Sequence, residues 1–224
     1  MRPEPLHGWS VSVREAIELQ GRLAGGVVRE DRLGPVRLVA GVDVAYDRRG
    51  RSGVARAAVS VFSYPELALV EEAAIEAAVD FPYVPGLLTF REAPAAIAAL
   101  ARLSHRPDVL LCDGQGLAHP RRLGFAAHLG LFLDIPSVGV AKSVLIGTYA
   151  EPGPAKGDWS PLMDKDEVIG AALRTRARTR PIFVSIGHRV SLDTAISLVL
   201  GCTTSFRLPQ TTRAADRLSK LRQG

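Results

Sequence analysis

A chain of 224 residues that is 47% hydrophobic and 23% charged has ordinary globular composition, which excludes disordered, collagen-like and mucin-like proteins. At this length one domain spanning residues 1–224 is expected, long enough to bury a sizeable core. Lys and Arg outnumber Asp and Glu 28 to 23, and only Lys142, Lys156, Lys165 and Lys220 are lysines; an arginine-rich net charge of +5 suits a polyanionic partner, and equally a GC-rich coding bias.

Met1 to Ser10 has Pro3, Glu4 and Pro5 where a signal peptide would carry an apolar run, and no stretch approaches the roughly 20 apolar residues of a membrane span. A soluble, cytoplasmic protein is the expectation, with Cys112 and Cys202 reduced in its core. Ser10 is a candidate N-cap for a helix running toward Val28. Val36 to Asp47 alternates as a strand, with Gly41, Asp43 and Ala45 on one face and Ala40, Val42 and Val44 on the other. Arg48 to Gly53 reads as a turn, Val54 to Tyr64 as a second strand, and Ala68 to Val79 as a third strand or a short helix. Short turns between them point to an antiparallel meander.

The pattern changes after the rigid loop Phe81 to Gly86. Leu87 to Leu103 has helical spacing, with Pro94 either starting or kinking the helix. Asp108 to Asp113 is apolar enough to be a strand buried on both faces. A helix over Pro120 to Leu133, strands over Ser137 to Val140, Val168 to Leu173 and Ile182 to Ser185, and helices over Ser191 to Cys202 and Thr211 to Leu221 complete the reading. Ala150 to Asp166 is read as a long loop or lid. The fold class is α/β, a mixed sheet (meander, then parallel strands) with helices on both faces.

Asp43 lies inside a strand, where a carboxylate is costly unless paired or metal-bound, and Asp113 ends an apolar strand at the edge where open α/β sheets place ligands. Neighbouring strands are about 4.8 Å apart, so on adjacent strands the two could share a cation, with Glu92 as a third oxygen ligand. Such oxygen-only sets suit Mg²⁺ or Mn²⁺. Taken singly, the two aspartates equally suit strand-end turns, and Glu92 a solvated helix charge. Asp113-Gly114-Gln115-Gly116 leads into His119-Pro120-Arg121-Arg122, where two arginines in a first helical turn would be relieved by an anion. Lys142 follows a strand and is placed to neutralise phosphate; His188 stands just past another strand end. Arg213, Arg217, Lys220 and Arg222 give the last helix a basic face, suited to a nucleic-acid backbone or simply to solvent. Zinc-ligand spacing, serine-hydrolase elbows and dinucleotide loops are missing.

Gly41-Val42-Asp43-Val44-Ala45-Tyr46, Pro82-Tyr83-Val84-Pro85-Gly86-Leu87-Leu88-Thr89-Phe90-Arg91-Glu92, Asp113 to Arg122 and Gly139-Val140-Ala141-Lys142-Ser143 resemble, in order, the motifs of endonuclease V. The resemblance covers about residues 10–222 and implies a ribonuclease H-like fold and a Mg²⁺-dependent nuclease. It implies recognition of deoxyinosine and a nick on the lesion's 3′ side. By motif it makes Asp43, Glu92 and Asp113 the metal-binding acids and puts Lys142 and His119 beside the scissile phosphate. Tyr83, following Pro82, becomes a wedge beside the displaced base, and Gly86, Leu88 and Gly114 the base pocket. Arg121, Arg122 and His188 remain candidate substrate contacts, and a monomer acting on inosine-containing DNA, with inosine RNA or branched DNA as the alternative substrate, is expected. A non-catalytic nucleic-acid binder is the other rival. Ile186 stands where many members have proline, and Asp216 where some have histidine, so no second-metal or general-acid role is carried over to Asp216.

Overall fold

The computed structural model describes residues 6–46 and 53–221. The expected turn at Arg48 to Ser52, the acidic and proline-bearing residues before Leu6, and Arg222 fall outside these residues. The elements in chain order are α1 (Val13–Ala24), β1 (Leu38–Tyr46), β2 (Val54–Ser63), β3 (Leu69–Ala78), α2 (Thr89–Leu100), β4 (Val109–Asp113), α3 (Phe125–Leu133), β5 (Ser137–Ala141), β6 (Trp159–Asp164), β7 (Glu167–Leu173), β8 (Ile182–His188), α4 (Leu192–Gly201) and α5 (Gln210–Lys220). None of the described helices is long and apolar enough to cross a membrane.

The eight strands form one sheet in the order β3-β2-β1-β4-β5-β8-β7-β6. β1, β2 and β3 are the antiparallel meander, and β4 and β5 run parallel to β1. β8 then reverses direction against β5, and β7 and β6 continue antiparallel. The period-2 pattern of β1 sorts as read: Ala40 and Val42 pack toward α2 and α3, whereas Val39 joins the core under α4 and α5. Leu110, Leu111 and Cys112 of β4 have no exposed surface, as a strand covered on both faces requires.

Gly41 has a specific job in this packing. A Cβ there would collide with the Thr211 carbonyl, so its missing side chain lets α5 lie directly on β1. The space beside Asp43 is therefore occupied by a helix, which brings Asp216 and Ser219 to the acids.

Three readings of the sequence need correction, and one open alternative is decided. The cap of α1 is Ser12, whose hydroxyl accepts from the Glu15 amide while Glu15 reaches back to the Ser12 amide, and the helix ends at Ala24. Ser12-x-x-Glu15 is a capping box, a stronger start signal than Ser10. Of the two alternatives for Pro94, the helix start is excluded, because α2 runs through it. α3 starts at Phe125, not Pro120, because Arg122 takes a left-handed φ of 56° and Gly124 is extended. Finally, Ala150 to Asp166 contains the edge strand β6. Pro161 disguised it, yet an edge strand tolerates a residue without an N–H, and Ser160 and Leu162 alternate inward as a strand should.

Candidate active site

The register of β1 on β4 pairs Val42 with Cys112, so one residue further Asp43 and Asp113 stand side by side at the carboxyl rim. α5 adds Asp216 from above: an oxygen of each of the three acids lies within 4.8 Å of the others. Carboxylates this close repel, and burial adds to the cost. Asp43 is pushed up to about 6, chiefly by burial and then by Asp113, although the Ser219 hydroxyl donates to its Oδ2 at 2.5 Å and opposes the rise. Glu92, on α2, is buried and driven well above the carboxylate range by burial and by the charges of Asp43 and Asp113. It backs the cluster from the opposite face of the sheet, outside the three-oxygen group. An all-carboxylate set at this spacing matches the donor chemistry of a hard divalent cation.

Lys142, just past β5, tempers the repulsion. Its Nζ lies 2.5 Å from Asp113 Oδ2 and 3.4 Å from Asp216 Oδ1. Burial lowers its pKa, but Asp113 and Asp216 outweigh burial and hold the ammonium charged. Asp216 in turn is kept ionised, against burial, by Lys220 at 2.7 Å and by Lys142. Asp216 was visible in the sequence but had been set aside; its signal was Asp216 and Lys220 at helical spacing on the basic last helix.

Asp113 and Lys142 open onto a cleft of about 380 Å³ that Tyr83, Gly86, Leu88, Gly114 and His119 also line. Tyr83 is 73% exposed at its mouth, whereas the loop behind it is clamped. The Gly86 carbonyl accepts from Gln20 Nε2 at 3.1 Å, His119 Nε2 at 2.9 Å and Arg121 Nη2 at 2.8 Å. Gly86 itself has φ of 78°, a conformation that favours glycine. Gln115 Nε2 donates to the Ser143 carbonyl, tying the Gly114 turn to the lysine.

Several sequence candidates turn out to have other work. His119 donates from Nε2 to Gly86 and accepts the Arg121 amide at Nδ1, so both ring nitrogens are occupied. Burial, followed by the nearby Arg121 and Arg122, keeps it neutral, its pKa down to about 4 despite the Gly86 bond. Arg121 points inward to Gly86 and Gln20. Arg122 binds Asp164 Oδ2 and Glu167 Oε2, each at 2.7 Å, anchoring the β6–β7 turn. Pro82, Arg121 and Arg122 do not line the cleft. His188 lies at the other rim: β8 is antiparallel to β5, so His188 pairs with Ser137 at the start of β5 and faces Asp134 at 3.6 Å. The sequence reading had taken β8 to run parallel.

Comparison with known proteins agrees with this geometry. The endonuclease V family profile matches residues 21–217. Endonuclease V of a Nostoc species is 51% identical over 217 residues, covering 96% of this chain and 97% of the relative. The crystal structure of endonuclease V from Streptomyces avermitilis superposes with a TM-score of 0.90 at 44% identity, over 95% of this chain and 93% of that one. Endonuclease V of Ciona intestinalis, solved in complex with a 24-mer DNA containing an inosine followed by a ribo-adenosine, gives a TM-score of 0.81 at 33% identity over 93% of this chain and 96% of that one. With a family profile over most of its length and relatives at about half identity, this chain is a member of the endonuclease V family of nucleases.

Proposed function

We propose that this protein is a Mg²⁺-dependent DNA-repair endonuclease, able to use Mn²⁺, that recognises deoxyinosine and nicks the backbone on the lesion's 3′ side. The observation that carries this reading is the junction of the three-acid cluster and Lys142 with a cleft of about 380 Å³, roomy enough for one extruded base. The inosine-bearing DNA bound by the Ciona relative supports the choice of lesion.

A divalent ion held by Asp43, Asp113 and Asp216, with Glu92 behind them, would polarise the phosphodiester and supply a reactive water at neutral pH. Lys142 stands beside Asp113 to balance negative charge that builds on the phosphate during attack. Tyr83, exposed at the cleft mouth, fills the gap left by the extruded base. Extrusion costs least for a mispaired base, which favours a deaminated adenine over a paired one. Gly86, Leu88 and Gly114 present backbone groups to its hydrogen-bonding edge. His119 and Arg121 act one step back, fixing the Gly86 carbonyl so that this edge-reading surface does not shift. The cores on both faces of one sheet support a single domain.

End-labelled inosine DNA and inosine RNA, each with and without Mg²⁺, test this on one gel. The expected result is a Mg²⁺-dependent product ending 3′ to inosine in DNA; binding without cutting would show a non-catalytic protein. A second reading, preference for a ribonucleotide beside inosine, is favoured by the ribo-adenosine in the Ciona complex, and stronger cutting of the RNA would select it.

A further inference from the structure

A second cleft, also about 380 Å³, adjoins the first, and Lys142, Ser143 and Val144 line both. Its other walls include Tyr149, Phe183, Arg180 and Arg207. Its charge is uncompensated. Neither Arg180 nor Arg207 has an acid partner among the described residues, and Glu151, the acid in the lining, is committed to Arg174 Nη2 at 2.6 Å. Arg207 donates from Nη2 to the Lys142 carbonyl at 3.0 Å, while its Nε is buried without a partner. Burial and the positive charge of Arg180 both lower the Arg207 pKa, so the two guanidiniums repel each other. This contrasts with Arg122 and Arg174, whose guanidiniums each meet a carboxylate. Beside the pair, Tyr149 is held edge-on to Phe183 at 5.2 Å and is 36% exposed as a residue.

Two guanidiniums without an acid partner and an exposed ring in a groove are the ingredients of single-strand binding: cations for the backbone, an aromatic face for a base. The groove meets the candidate nuclease site at Lys142, so a strand whose damaged base fills the first cleft and whose phosphate sits at the acids continues into it. We propose that this second cleft is a subsite for the substrate strand beyond the scissile bond, with Arg180 and Arg207 binding a backbone phosphate there and Tyr149 stacking on the adjoining base. The inference rests on the nuclease reading of the first cleft.

Arg180→Ala is the first variant, because Arg180 is exposed; Arg207→Lys is the second, keeping the charge near Lys142. Binding of a lesion-free single-stranded oligonucleotide is followed by fluorescence anisotropy across a salt series without divalent ions. Arg180→Ala should weaken binding about fivefold and flatten the slope of log affinity against log salt by about 0.7, the loss of one phosphate contact on a single strand. In cleavage with Mg²⁺, the variant should lose about fivefold in kcat/KM on a full inosine strand, yet match the wild type on a strand ending one nucleotide beyond the cut. Arg207→Lys should keep most of the salt slope while losing affinity, since a point charge replaces a fork. Unchanged affinity and slope in Arg180→Ala, or a loss equally large on the shortened strand, would overturn the subsite. A wild type that fails to cut inosine strands but still binds strands through Arg180 would refute the nuclease reading and leave the strand-binding cleft standing.

Discussion

Asp113 and the Arg121–Arg122 pair lie less than ten residues apart, and the fold treats their charges in opposite ways. Asp113 is set against Asp43 and Asp216, three like charges with oxygens within 4.8 Å, tempered by Lys142, Lys220 and the Ser219 hydroxyl. Arg122, by contrast, satisfies its guanidinium on Asp164, Glu167 and the His119 carbonyl, and Arg121 on Gly86 and Gln20. Charge left unresolved by the protein is charge available to a ligand, whereas charge resolved internally holds a loop in place. By that criterion the acids are the proposed reacting centre and the two arginines are struts.

The largest effect should come from the acids. Asp113→Asn is expected to lower single-turnover cleavage of an inosine duplex by about a thousandfold, comparable to removing a principal electrostatic stabiliser. Thermal stability should hold or rise, because the substitution relieves repulsion; a stability loss with normal cleavage would invert the contrast. Arg122→Gln should do the reverse. Leaving Asp164 without its partner and Glu167 to Arg29 alone predicts about 1–2 kcal/mol lost in urea unfolding. The chemical step should change far less than in Asp113→Asn.

Tyr83→Ala sharpens the comparison from the cleft mouth. Loss of a side chain 73% exposed should leave the melting temperature in place, while discrimination between inosine and adenine falls about tenfold, the worth of roughly 1.4 kcal/mol of gap filling. The remaining effect concerns buried histidines. Burial drives His128 down to about 3 and His119 to about 4, so the unfolded chain binds protons at the ordinary histidine pKa and the folded chain does not. Stability is then complete above about pH 6.5 and falls as pH drops toward 4. His119→Gln should make that fall shallower by about 1 kcal/mol per pH unit, read from urea midpoints.

The parts of the molecule that local pattern dictates were readable from the chain. β1 alternates, β4 is apolar up to its last residue and β5 after its first, and Asp43 and Asp113 stand out because a carboxylate in or at the end of such strands needs a reason. What local pattern does not encode is direction and distance. His188 looked like a rim residue because a strand end was assumed to point the same way as its neighbours, but β8 returns antiparallel. Asp216 joins the acids only through the crossing of α5 over Gly41, a contact between residues far apart in the chain. Pro120 suggested a helix start, but the left-handed Arg122 and the ion pairs that hold it delay the helix to Phe125. In each case a tertiary contact overrode a sound local signal.

The claim on which the rest depends is that Asp43, Asp113 and Asp216 together hold a divalent cation. Anomalous diffraction from crystals soaked in Mn²⁺ tests it directly. A peak should lie within about 2.0–2.5 Å of carboxylate oxygens from Asp43 and Asp113, as hard-cation coordination requires, and should vanish in Asp43→Asn. No peak among the three acids, or one that survives the substitution unchanged, would contradict it.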